Sequence, residues 1–272
     1  MHDRKSIREY RHTLSDRESK ILSSLSYDGK TVFTAEDVKE FVDEPKNILD
    51  SLVRKRWILK IMKGVYAIAP FEAGELGAAS HTLHSFVIAS VFVKPYYIGY
   101  WSALNYHGLT DATPPAVYIA TTKPRNTRTI LGSTFRFVTI PRRKMFGAEE
   151  IELEKRKIVA SSREKTIADC LDHPEHCGGV EELAKALYFH GGEVDAKKLV
   201  AFAERLGNTA VLKRLGLVSD ILGLVDISLL LGKTRLGAGY SLLDPTLPNR
   251  GRIRERWRLV LNAPIDPSRW TR

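Results

Sequence analysis

Apolar residues recur at helical spacing three times within the first 55 residues. SDRE (15–18) is a capping box in which Ser15 and Glu18 satisfy each other's backbone donors, and Ile21, Leu22 and Leu25 follow on one face. This spacing predicts a helix ending near Tyr27-Asp28-Gly29. TAED (34–37) opens a second helix, with Val38, Phe41 and Val42 on its apolar side. Pro45 suits the first position of a third. Its stripe is Ile48, Leu49, Leu52 and Val53, which leaves Lys46, Asn47, Asp50, Ser51, Arg54 and Lys55 facing outward. WILKIMKGVYAI (57–68) then reads as two short strands around a Lys63-Gly64 turn.

Gly74 and Gly77 mark a loop, and helical patterns return around 82–93 and 99–107. The prolines of TPPAVYIATT (113–122) break the second pattern and lead into a strand. STFRFVTI (133–140) alternates with period two and pairs with that strand across the basic loop KPRNTR. EEIELEKRKIV (149–159) alternates at its start, and helices are expected at about 162–172, 180–189, 195–206 and 209–222. YSLL (240–243) and RWRLVLN (256–262) return to strand-like runs. Three short helices and a hairpin are the order of a winged helix-turn-helix. The expected fold class is therefore α+β. An N-terminal winged helix-turn-helix would occupy residues 1–70, with a basic arm at 1–14. A linker at 71–80 would lead to a larger mixed α/β C-terminal domain, 81–272.

Charge sharpens this picture. The net charge is +10, and RKRWILKIMK (54–63) carries five positive charges and no acid. A clustered excess of this kind suits a polyanion. Winged helices also dock on proteins, but the unopposed charge favours double-stranded DNA. In that reading Lys46, Asn47, Ser51 and Arg54 meet base edges or nearby phosphates, and Lys55, Lys60 and Lys63 meet the DNA backbone. The arm bearing Arg4, Lys5, Arg8 and Arg11 would reach a minor groove or serve only as a solubilising tail. A second basic surface combines IPRRK (140–144), with Arg142 and Arg143, and PNRGRIRERWR (248–258), with Arg250, Arg252 and Arg254. It suits an acidic protein face or an RNA, with a solvated rim as the plain alternative. Two cysteines form no disulfide framework, the charged start has no signal peptide, and the apolar run FVIASVFV (86–93) is too short to span a bilayer. A cytoplasmic protein with no membrane partner is expected.

Several stretches look chemical. CLDHPEHCGG (170–179) holds Cys170, His173, His176 and Cys177, all capable of binding zinc. All four fall within one eight-residue turn, however, and Pro174 must end the helix that carries Ile167 and Leu171. The stretch reads as a helix end. GKT (232–234) lacks the glycine that a P-loop needs five residues earlier, where Ile227 stands. Gly132-Ser133 opens like a nucleotidyltransferase motif, but no spaced Asp-x-Asp follows. His84, His107 and His190 have no evident acid or nucleophile companion. Glu164 and Asp169 beside Lys165 read as solvent-facing ion pairs rather than a nuclease centre. Neither a catalytic residue nor a metal or cofactor is expected.

From GYWSALNYHGLTDATPPAVYIATT onward the chain resembles the AbiEi family, antitoxins and transcriptional regulators of type IV toxin–antitoxin systems. The resemblance runs through FRFVTI, EKTIADCLDHPEHCGGVEELAKAL, KRLG (213–216) and YSLLDPTLPNRG…RWRLVLN, covering most of residues 95–262. It implies an N-terminal domain that represses its own operon by binding double-stranded promoter DNA, with paired protomers on an inverted repeat. It also implies a C-terminal domain that counters a partner nucleotidyltransferase toxin, which would hold the catalytic activity. The rival readings are a winged-helix regulator with an unrelated sensor domain and a DNA-processing enzyme.

Overall fold

The computed structural model describes residues 11–69, 83–154, 156–232 and 234–270. Within them the chain is mixed α+β and divides into two compact units. The first runs to Val91 and includes Thr129–Gly132; the second comprises Phe92–Arg128 and Ser133 onward. The linker expected at 71–80 and arm residues 1–10 lie outside the described residues.

The first unit is built as its pattern predicts. Helix α1 (Asp16–Tyr27) starts from the Ser15–Glu18 capping box, and α2 (Ala35–Lys39) from a second box between Thr34 and Asp37. Helix α3 (Pro45–Arg54) has proline at its first turn. Strand β1 (Val32–Thr34), which the pattern does not announce, joins β2 (Ile58–Met62) and β3 (Val65–Ile68) in an antiparallel sheet ordered β1-β3-β2. The β2–β3 turn is Lys63-Gly64, and Gly64 has φ +75°, a conformation glycine adopts without cost. Ile21, Leu25, Val38, Leu49, Leu52 and Ile58 close one core, each stabilising the fold by about 1.5–3 kcal/mol relative to exposure. Helix α4 (Ser85–Ala89) is much shorter than the pattern at 82–93 suggests.

The second unit has a sheet ordered β7-β5-β4-β9-β8. Its strands are β4 (Tyr96–Ile98), β5 (Val117–Thr121), β7 (Ser133–Thr139), β8 (Ala148–Leu153) and β9 (Arg156–Ser161); two of the three residues of the short β6 (Arg128–Ile130) belong to the first unit. The expected pairing of 113–122 with 133–140 forms, but it is parallel: Val117 lies opposite Phe135 and Thr121 opposite Thr139. Strand β4 pairs parallel with β9 through Ile98 and Ala160. Helix α5 (Tyr100–Tyr106) follows β4, and the four expected helices appear as α6 (Arg163–Asp172), α7 (Val180–His190), α8 (Ala196–Arg205) and α9 (Thr209–Leu222). Helix α10 (Val225–Leu231) and the small sheet of β10 (Ser241–Leu242), β11 (Arg252–Arg254) and β12 (Leu259–Leu261) complete the unit. Gly216 in α9 lets the Trp257 ring approach so closely that a Cβ there would sit 2.3 Å from it. No helix among the described residues is long and apolar enough to cross a membrane.

Candidate functional site

Helix α3, strand β2 and the β2–β3 turn expose the side chains expected to meet DNA, with two exceptions. Lys46, Asn47, Arg54, Lys60 and Lys63 are exposed, and none makes an ion pair or hydrogen bond with another described residue. Ser51 and Lys55 are engaged. The Ser51 hydroxyl donates to Glu18 Oε1 at 2.8 Å, and Lys55 Nζ donates to Glu18 Oε2 at 2.6 Å. Facing outward on a helical wheel therefore does not leave these two available; the cause is a carboxylate 33 and 37 residues earlier in the chain. Arg11 is likewise tied down, lying 4.1 Å over the Trp57 ring and donating to the Ala69 carbonyl at 2.8 Å.

Glu18 thus joins α1 to α3 as well as closing a capping box. Burial would raise its carboxyl, but hydrogen bonds from Lys55, the Ser15 backbone and the Ser51 and Ser15 hydroxyls override that and hold it at about 2. A carboxyl held below its unfolded value adds stability above the ordinary 4.5, and this is lost as pH falls toward 2. Glu18→Gln should therefore destabilise the chain by about 1–3 kcal/mol at neutral pH and by much less near pH 2. Urea unfolding of both proteins at the two pH values reads this out. A loss equal at both would assign the effect to shape and not to charge.

The two arginine-rich segments, 140–144 and 248–258, differ in what they expose. Arg142, Arg250, Arg252 and Arg254 are exposed, the last two on β11, which pairs with β12 on one side. Arg143 donates to the Leu206 carbonyl at 3.0 Å, and neighbouring Lys144 is buried in an ion pair with Asp172.

The reading of Glu164, Lys165 and Asp169 as solvent-facing is corrected. Lys165 is fully buried, Asp169 is 2% exposed, and Glu164 is buried. Lys165 pairs with Asp169, and the Tyr97 hydroxyl donates to Asp169 Oδ2 at 2.7 Å while accepting from Lys165 Nζ at 3.0 Å. Burial lowers the Lys165 ammonium and raises the Asp169 carboxyl, and their mutual attraction opposes both shifts. Glu164 pairs with Lys198 at 2.7 Å. Arg214, also buried, donates to the carbonyls of Leu171 at 2.6 Å and Leu243 at 3.0 Å. These groups brace helices and strands.

The cysteine–histidine stretch is a helix end, as its proline dictates. Helix α6 stops at Asp172, and Pro174–His176 forms a 3-10 turn. Both cysteines are fully buried, and the Cys177 thiol donates to the Pro174 carbonyl at 3.3 Å. The four-residue set does not assemble, although His173, Glu175 and His176 cluster without the sulfurs.

No family model and no curated protein matches the sequence. Among solved structures, the chain is similar to the RV2827C protein from Mycobacterium tuberculosis, with a TM-score of 0.68 and 16% sequence identity. The match covers 93% of this chain and 94% of that one, so nearly the whole chain shares that protein's fold.

Proposed function

We propose that the protein is a DNA-binding repressor of its own operon and an antitoxin acting against a nucleotidyltransferase toxin. The observation that carries the first half is the set of five exposed, uncommitted side chains on α3, β2 and the β2–β3 turn. The order α1, β1, α2, α3, β2, β3 is that of a winged helix-turn-helix, in which the third helix enters the major groove. Lys46, Asn47 and Arg54 then face bases and adjoining phosphates, and Lys60 and Lys63 lie along the backbone. Ser51 and Lys55 leave the contact set and act through Glu18, holding α3 against α1. The second half rests on the resemblance to AbiEi antitoxins over residues 95–262. A targeted DNA-processing enzyme is disfavoured because the acids and lysine that suggested it are buried as structural pairs.

Binding to the operon's promoter should divide these side chains into two classes. Lys60→Ala and Lys63→Ala should weaken binding to all sequences and reduce its salt dependence, by a slope of about one per lost phosphate contact. Asn47→Ala and Arg54→Ala should cost about 1–3 kcal/mol on the operator and little on random DNA. Equal losses on both DNAs for all four variants, measured by fluorescence anisotropy, would remove the base-reading role.

A further inference from the structure

The junction between α6 and α7 carries a polar cluster that the proposed function does not use. His173, Glu175 and His176 each bring a ligand-capable atom to within 4.8 Å of the other two. All three sit on one turn fixed by its backbone. The His176 amide donates to the His173 carbonyl at 3.0 Å, and the amides of Cys177 and Gly179 donate to the Pro174 carbonyl at 3.1 and 2.9 Å. The donors are therefore held ready at little conformational cost.

Two further observations point to a cation here. The first is the placement of the His173 ring between two carboxylates. Its Nδ1 lies 2.9 Å from Glu175 Oε1, and its Nε2 lies 3.5 Å from Asp172 Oδ2. A neutral imidazole carries one proton and can satisfy only one of them. The 2.9 Å contact is a hydrogen bond that one tautomer satisfies; a metal ion would take the place of that proton between the same two groups, with the Nε2–H then directed at Asp172. Asp172 is itself anchored by Lys144 and by the Asn208 side-chain amide, which donates to its Oδ1 at 2.7 Å. A fixed carboxylate behind a histidine is the outer-shell arrangement that orients metal-binding imidazoles. The second is that His176 Nδ1 is shielded from solvent and makes no hydrogen bond of ordinary geometry with a described residue. The two rings lie 5.8 Å apart and within 24° of parallel. The positive charges set against the carboxylates of Glu175 and Asp172 are Lys144, paired with Asp172, the buried Arg214, and Arg136, which lies over the neighbouring Tyr118 ring at 5.6 Å.

We propose that His173, Glu175 and His176 form a binding site for a divalent transition-metal ion of the zinc class, with Cys170 and Cys177 excluded. Two imidazoles and a carboxylate are a donor set that zinc accepts, leaving water to complete the shell. This departs from the sequence-based expectation of no metal, because the Cys/His spacing obscures a different set of donors.

The full chain, stripped with chelator and titrated with zinc chloride by calorimetry, should bind one ion per chain. His173→Ala and His176→Ala should each weaken binding by at least about tenfold. Glu175→Gln, a near-isosteric change at an exposed position, should do the same with an unchanged circular dichroism spectrum. Cobalt loaded in place of zinc should give ligand-field bands without a thiolate charge-transfer band. Absence of binding, affinity unchanged in the three variants, or a thiolate band would each overturn the assignment.

Discussion

Asp169→Ala should cost the larger unit about 3–5 kcal/mol, because it leaves the Lys165 ammonium in a fully buried position without its counter-charge. Lys165 lies 5.1 Å from the Tyr97 ring centroid and 4.7 Å from that of Phe146, surroundings that cannot replace an ion partner or supply water. The Tyr97 hydroxyl also loses its acceptor. Replacing both charges, with Lys165→Met and Asp169→Leu, should recover most of the loss, since apolar groups of similar volume remove the desolvation cost on both sides. Denaturant unfolding of the two proteins decides the point. An Asp169→Ala loss below about 1 kcal/mol would mean that water reaches the ammonium and that the pair is not sealed.

Residues 78–272 expressed alone should restore growth to cells making the cognate nucleotidyltransferase from an unrelated promoter, and residues 1–77 alone should not. The expectation follows from how the chain is partitioned. The described core of the small unit draws on residues between Leu14 and Ile68, whereas a separate core spans Tyr97 to Trp270. A unit built to hold a helix against DNA gains nothing from a second core of that size, so the larger one should carry the antitoxin role. Arg250→Glu, Arg252→Glu and Arg254→Glu together test how it does so, since these exposed side chains flank and occupy the edge strand β11. Loss of rescue would make that edge the contact, and full rescue would make it a solvated rim. Rescue by residues 1–77 under an unrelated promoter would refute the partition.

Local features were legible in the sequence wherever short-range chemistry decides them. The Ser15–Glu18 and Thr34–Asp37 boxes, Pro45 at the start of α3, the Lys63-Gly64 turn and helices α6 to α9 all follow from patterns a few residues long. What could not be read depends on partners distant in the chain. Strands β1 and β4 have three residues each, too few to show a period, and β4 is buried throughout. The parallel sense of β5 and β7 is a property of the sheet and leaves no mark on either strand. Ser51 and Lys55 have the same sequence signature as Arg54, and only the position of α1 separates them. Lys165 and Asp169 at i, i+4 spacing look alike whether that face meets water or a sheet. His173, Glu175 and His176 were visible as residues, and Cys170 falls beside the apolar face of Ile167 and Leu171, but the inward turn of the Cys177 thiol was not visible.

The parallel pairing of β4 with β9 sets a timetable for the growing chain. Ile98 faces Ala160 across the sheet. At ribosomal speeds of about 5–20 residues per second, β4 waits roughly 3–12 s for that partner to be made. Over that interval Tyr96, Tyr97 and Ile98, all buried in the finished fold, have no strand to cover that side and are open to chaperones. Among the described residues the core around α1, α2 and α3 ends at Ile68, so it can close while the larger unit is still being synthesised. Each newly made chain thus acquires the surface assigned to the operator before the one assigned to the toxin, and a chain interrupted between residues 70 and 160 would carry only the first.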